Sequence, residues 1–386
     1  MRISCYPFLL ILFLLTISTC AKGQAIKEKI ELLKEKQQDI KKQIFEDTSG
    51  KSNYIIYPTL AYTPETNIEF GLVNLFLFYA KQDRKNRLSE VNTFTFYTFE
   101  KQYGIWFDHA IYGNHDTWFF LGKGKIQYFP LKYYGIGMKT NQNEYQIVNN
   151  SSIQIRERVL HKVKGDFYVG LEFDHHNIYN ISLTQEQFLP QSTLPLGYQG
   201  SNNTAFGFGL VYDTRRNVMN VRNGFFSEVA YLNYSKLLTS QYPFQSIQID
   251  SRYFRKGFAP NQVWAFQALG NFNFGNVPFN QLALMGGESI MRGYYLGRYR
   301  DKQMINVQAE YRFLPFSFSK RFGGSLFLAA GAIAPNLGSF TFPNTQVAGG
   351  FGAKYLIFKA KDIFVRFDFA FTKEGQGYYF FIGEAF

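Results

Sequence analysis

Few residues in this chain are placed for catalysis. Asp174-His175-His176 sets a carboxylate beside two imidazoles, the ingredients of a metal site. On a strand, neighbouring side chains point to opposite faces, so the three cannot converge on one ion. Gly122-Lys123-Gly124-Lys125 lacks the spacing and the hydroxyl residue of a phosphate-binding loop. Gly207-Phe208-Gly209 lies in a strand pattern with no helix after it, and no G-x-S-x-G nucleophile elbow occurs. The sequence points away from an enzyme, a metal centre or a cofactor.

One arginine is set differently. In Gly286-Gly287-Glu288-Ser289-Ile290-Met291-Arg292-Gly293-Tyr294-Tyr295, Arg292 rides on a glycine-rich stretch that can fold back tightly. Asp368, between Phe367 and Phe369, and Glu310, between Ala309 and Tyr311, lie on the polar faces of their segments. The pattern alone pairs neither of them with Arg292; only an enclosed pair would be a charge-assisted one, stronger than in water. Without an enclosure Arg292 is an ordinary exposed arginine in a flexible loop.

The elements that would build such an enclosure repeat with period two. Ile305, Val307, Ala309, Tyr311 and Phe313 alternate with Asn306, Gln308, Glu310 and Arg312, and Ile363, Val365, Phe367, Phe369 and Phe371 alternate with Arg366 and Asp368. That is the pattern of strands with one apolar and one polar face. Sixteen such segments run from 53–62 to 375–386. Even strand numbers and spans of about 10 residues suit a transmembrane barrel. The connections alternate in length: 113–116 and 161–164 are short, whereas 129–142, 179–202 and 275–302 are long. Short turns belong on the periplasmic side and long loops outside.

Composition supports the same fold. The chain is 19% aromatic and only 18% charged, a balance that suits a lipid face with two interfacial girdles better than a soluble core. Phe94, Phe96, Phe380 and Phe386 are assigned to that outer face. The expected fold is all-β, a 16-stranded antiparallel transmembrane β-barrel spanning 49–386, with a short periplasmic α-helix before it.

Residues 1–23 read as an export signal, with Arg2, an apolar core from Phe8 to Ile17, and a small-x-small site at Ala21-Lys22-Gly23. Lipidation at Cys20 is the rival, against which Ile17-Ser18-Thr19 lacks a small apolar residue just before the cysteine. Cys5 and Cys20, the only cysteines, both fall in this segment, leaving no disulfide scaffold and no thiolate metal site. In 24–48, Ile26, Ile30, Leu33, Ile40 and Ile44 form an a/d seam. This amphipathic helix would rest on the barrel rim or the membrane surface, self-associate, or take a partner helix. The net charge of +12 reads as solvated loop lysines, with steering of acidic lipids or clients as the alternative. A nucleic-acid partner is not expected.

The arginine loop, followed by Gly297-Arg298-Tyr299-Arg300-Asp301 and a strand with Glu310-Tyr311-Arg312, resembles the R-G-F/Y loop of the bacterial surface antigen or outer-membrane assembly superfamily, the BamA/TamA-like barrels. Other stretches match as well: Ala61-Tyr62-Thr63-Pro64-Glu65-Thr66, Tyr212-Asp213-Thr214-Arg215 with Gly224 at a turn, Phe367-Asp368, and Ile382-Gly383-Glu384-Ala385-Phe386. A proline usual after Tyr212-Asp213-Thr214-Arg215 is missing. The resemblance covers about 53–386.

It implies an inward-folded loop carrying Gly286, Gly287, Arg292, Gly293 and Tyr294, with Asp368 as the first inward partner and Glu310 as the second. It implies insertion or translocation of client β-barrel or secreted proteins at the outer membrane of a Gram-negative-type bacterium. A lateral seam between first and last strands would bear Pro58, which cannot donate a ladder hydrogen bond, together with Gly383 and Phe386. Alternatively, Pro58 lies at the rim outside the ladder. About 30 residues between Gly23 and the first strand leave no room for the family's periplasmic client-binding modules. A passive pore or lipid-handling channel, and a structural or surface-receptor barrel, stand as alternatives.

Overall fold

The computed structural model describes residues 52–185, 195–215, 220–358 and 362–386. The export signal and the helix with Ile26, Ile30, Leu33, Ile40 and Ile44 lie outside the described residues.

Nineteen strands occur among the described residues. The first five are β1 (Asn53–Thr63), β2 (Asn67–Tyr79), β3 (Leu88–Thr98), β4 (Tyr103–Tyr112) and β5 (Trp118–Tyr128). A short β6 (Leu131–Tyr133) continues β5 past Pro130 along the same neighbour, β7 (Gln146–Lys164). Then come β8 (Phe167–Gln185), β9 (Ser201–Asp213), β10 (Gly224–Tyr234), β11 (Phe244–Lys256) and β12 (Gln262–Gly275). Two three-residue strands, β13 (Ala283–Met285) and β14 (Tyr299–Asp301), pair only with each other. The last five are β15 (Gln303–Phe313), β16 (Phe322–Ala334), β17 (Gln346–Phe358), β18 (Ile363–Thr372) and β19 (Gly375–Ile382).

Without β6, β13 and β14, sixteen antiparallel strands pair with their neighbours in the chain, and β1 meets β19 to close a barrel. Each corresponds to one of the sixteen period-two segments. Closure leaves one rim with both ends of the barrel and mostly short turns, and the opposite rim with the long loops. No helix among the described residues is long and apolar enough to cross a membrane.

The alternation is inverted relative to a soluble protein. In β15, Ile305 and Val307 are 42% and 49% exposed, whereas Asn306, Glu310 and Arg312 are essentially buried. Apolar side chains therefore face outward and polar ones line the lumen, as a lipid surround requires. One sector departs from this. Phe94 and Phe96 stack inside the lumen, with Trp106 packed edge-on and Phe129 beyond, beside inward Val73 and Leu75 from β2. Their assignment to the outer face is corrected: strand parity places them with Asn92 and Thr98, which face in.

The closing ladder is short. β1 pairs with β2 along its whole length, from Asn53↔Leu77 to Thr63↔Asn67. Its ladder with β19 is the single pair Tyr62↔Phe380. The last strand stops at Ile382 instead of running to 386, because Gly383 takes φ +97° and its N–H bonds to Phe364 O at 2.8 Å.

Candidate functional site: an arginine loop inside the barrel

The connection between β12 and β15 does not stay outside. β13 and β14 clip it into an arm, and a tight turn forms at its tip, where Gly287 N bonds to Tyr294 O at 2.9 Å. Gly286 has φ +117°, and a Cβ there would stand 2.1 Å from Tyr295 O. Gly293 has φ +107°, and its Cβ would meet Thr372 Cγ2 at 2.6 Å. Both positions need glycine for conformation and for space.

The turn delivers Arg292 into the barrel wall, where it is 1% exposed. Its Nη1 donates to Asp368 Oδ2 on β18 and its Nη2 to Glu310 Oε2 on β15, each at 2.6 Å. The guanidinium also stands 3.5 Å from the centroid of the Phe327 ring. A planar, forked cation satisfies two carboxylates and a ring face at once, which lysine could not do.

The wall around it is denser in charge than the sequence suggested. Glu310 also receives Arg312 and Lys354, each at 3.1 Å. Glu384 accepts from Lys354 and lies 3.3 Å from Arg312. Asp368 pairs with Arg366. Arg312 and Arg366 carried a legible signal, since each sits two residues from an inward acid and so shares its face. Lys354 did not: register alone sets it across from Arg366.

Further tethers hold the arm. Gly293 N donates to Tyr379 Oη on β19 at 2.8 Å. Tyr294 is buried and donates to Gln346 Oε1 at 3.3 Å. Arg298 grips Glu374 with Nε at 2.7 Å and Nη2 at 2.8 Å. On the other side of the closure, Leu296 N donates to Glu65 Oε1 at 2.6 Å, in the turn between β1 and β2. One arm thus touches β19 and the turn that follows β1, on the two sides of the closure. Burial, and next the charge of Glu288, push the Glu65 carboxyl up to about 7. Arg300, buried in the arm beneath Tyr133, is lowered to about 10 by desolvation.

The remaining candidate residues fall elsewhere. Asp213 and Arg215 pair with each other, Nε to Oδ1 at 2.9 Å and Nη2 to Oδ2 at 3.0 Å, and Gly224 (φ +132°) closes the turn beside Arg215. They shape the turn from β9 to β10 and do not reach the arm. Pro58 lies inside β1 opposite Leu72 and faces outward, within the β1–β2 ladder and outside the single pair that joins β1 to β19. Phe386 is corrected from a seam residue to an inward one: it lies 6.4 Å from Phe254 and under the Arg312 guanidinium at 5.0 Å. The inward turn at Gly383 carries it there.

Lipid-facing strands closed around a polar lumen that holds a tethered arginine loop define a transmembrane β-barrel of the outer-membrane kind. The chain belongs to the Omp85 superfamily, whose domain model matches residues 92–386. That fold places it in the bacterial outer membrane. Its fold is similar to that of BamA from Haemophilus ducreyi lacking POTRA domains 1–3, at 13% identity and TM-score 0.56, covering 85% of this chain and 70% of that one. CdiB from Acinetobacter baumannii gives 9% identity and 0.54, covering 90% and 66%. CdiB from Escherichia coli gives 10% and 0.55, covering 91% and 70%. The chain thus spans between 66% and 70% of these structures. No curated protein matches it in sequence.

Proposed function

We propose that this barrel inserts or translocates client proteins at the outer membrane, without catalysis, through a lateral seam between β1 and β19 that the arginine arm latches from inside. The observation that carries this is the single-pair ladder Tyr62↔Phe380 bridged by an arm bound to Glu65 on one side and Tyr379 on the other. An exposed strand edge can pair with an incoming strand by β-augmentation while its apolar face enters lipid. Pro58 and Gly383 keep that edge weakly paired. In the same proposal residues 1–23 serve as the export signal, 24–48 lie in the periplasm, and the barrel falls within 49–386. The rim with both barrel ends faces the periplasm.

Purified protein in liposomes should speed the folding of a client barrel. Cysteines introduced at Tyr62 and Phe380 and crosslinked should abolish that acceleration, and full activity in the crosslinked protein refutes the seam. The polar lumen favours a second role, a passive pore: a cavity of about 240 Å³ is lined by Asp108, Lys123, Arg156, Arg158 and Glu228. Bilayer conductance that rises when the arm is deleted, without any effect on client folding, would select the pore.

A further inference from the structure

The wall that carries Glu310 and Phe327 ends, at the rim away from the arm's loop, in two neighbouring turns that carry charge of one sign. The turn from β11 to β12 follows Arg255 and Lys256, and the turn from β15 to β16 ends in Lys320 and Arg321. All four are exposed, neither turn contains an acid, and no carboxylate lies within salt-bridge distance of them among the described residues. The turns adjoin because β12 pairs with β15, and they are fixed: Leu314 N bonds to Asn261 O at 2.7 Å, and Leu356 N to Arg321 O at 2.8 Å.

Beneath the cations runs a continuous band of rings. Phe266, Trp264, Tyr311, Phe313, Phe316 and Phe318 each contact the next, with centroids between 4.4 and 5.9 Å apart. Phe318 and Phe258 project from the two turns, 83% and 89% exposed. Aromatic rings at this level sit among headgroups, and cations just beyond them reach phosphates. At the opposite rim of the same wall, residues 335–345 carry no charge, and Lys236 and Lys302 stand apart in the other two connections.

We propose that these two turns form a docking site for anionic phospholipid headgroups, phosphatidylglycerol or its dimeric relatives, in the periplasmic leaflet. The rings hold the acyl-chain boundary while Arg255, Lys256, Lys320 and Arg321 gather the phosphates. The leaflet rests on the reading of this rim as periplasmic, but lipid preference can be measured with no client present.

Trp264 reports on the site. In a Trp106→Phe/Trp118→Phe variant reconstituted into phosphatidylcholine vesicles, brominated phosphatidylglycerol and brominated phosphatidylcholine are compared as quenchers at equal mole fraction. Phosphatidylglycerol should occupy the site at least about fivefold more favourably, the enrichment that one cation supports at an anionic surface. The preference should shrink in high salt and vanish when Arg255, Lys256, Lys320 and Arg321 are all changed to Ser. It should persist when Lys81 and Lys85, in the turn between β2 and β3, are changed to Ser. Equal quenching by the two lipids, or a preference that survives the four substitutions, overturns the proposal.

Discussion

Removing Asp368 should harm this barrel more than removing Arg292, although the two form one pair. In Arg292→Ala, every carboxylate keeps a cation: Asp368 retains Arg366, and Glu310 retains Arg312 and Lys354. The loss is two charge-assisted hydrogen bonds and a cation–π contact, about 5 kcal/mol gross. Most of that is offset because a guanidinium no longer has to be desolvated. A net cost of about 1–2 kcal/mol remains, and it falls on arm docking. In Asp368→Ala, the buried Arg366 loses the only carboxylate within reach among the described residues, and Arg292 keeps only Glu310. An uncompensated buried charge costs about 3–5 kcal/mol. Urea titrations in detergent micelles, followed by heat-modifiability on gels, measure both. Trypsin cleavage at Arg298 reports separately on the arm, and should rise in Arg292→Ala while the barrel stays folded. In the double mutant, removing Arg292 should cost almost nothing further, giving a coupling of about 1–2 kcal/mol. If Arg292→Ala is the costlier single change, or if the two costs simply add, the charge network described for this wall is wrong.

Other predictions follow from the arm and its anchors. Glu65 has a raised folded-state pKa, so the stability it contributes is full below about 4.5 and is lost as pH rises to about 7. Thermal stability should therefore fall across that window, by up to about 3 kcal/mol in unfolding free energy; Glu65→Gln should flatten the profile, and an unchanged slope would sink the assignment. Gly293→Ala must move Thr372 or strain a positive φ, so it should cost about 1–3 kcal/mol and expose Arg298 to trypsin as Arg292→Ala does. Arg300, which among the described residues is buried without a carboxylate partner and makes two long bonds to carbonyls at 3.4 Å, should be replaceable by Met with equal or higher urea resistance; marked destabilisation would show that those carbonyl bonds hold the arm.

The sequence by itself determined the architecture, because alternation is local. A period of two, sustained over sixteen segments with aromatic residues on one face, admits a membrane barrel and little else. The same parity put Glu310 and Asp368 on the polar side of β15 and β18, where Arg292 meets both. Parity does not say which face becomes the lumen in every strand, and Phe94 and Phe96 went inward because β2 supplies an apolar lumenal neighbour. Nor does it say what stands across the lumen. Lys354 faces Arg366 through register, Leu296 reaches Glu65 across 231 residues of chain, and Phe386 leaves the wall at Gly383 to lie under Arg312. Those relations arise only when the sheet closes, since closure fixes the stagger of the strands and brings the far ends of the chain together.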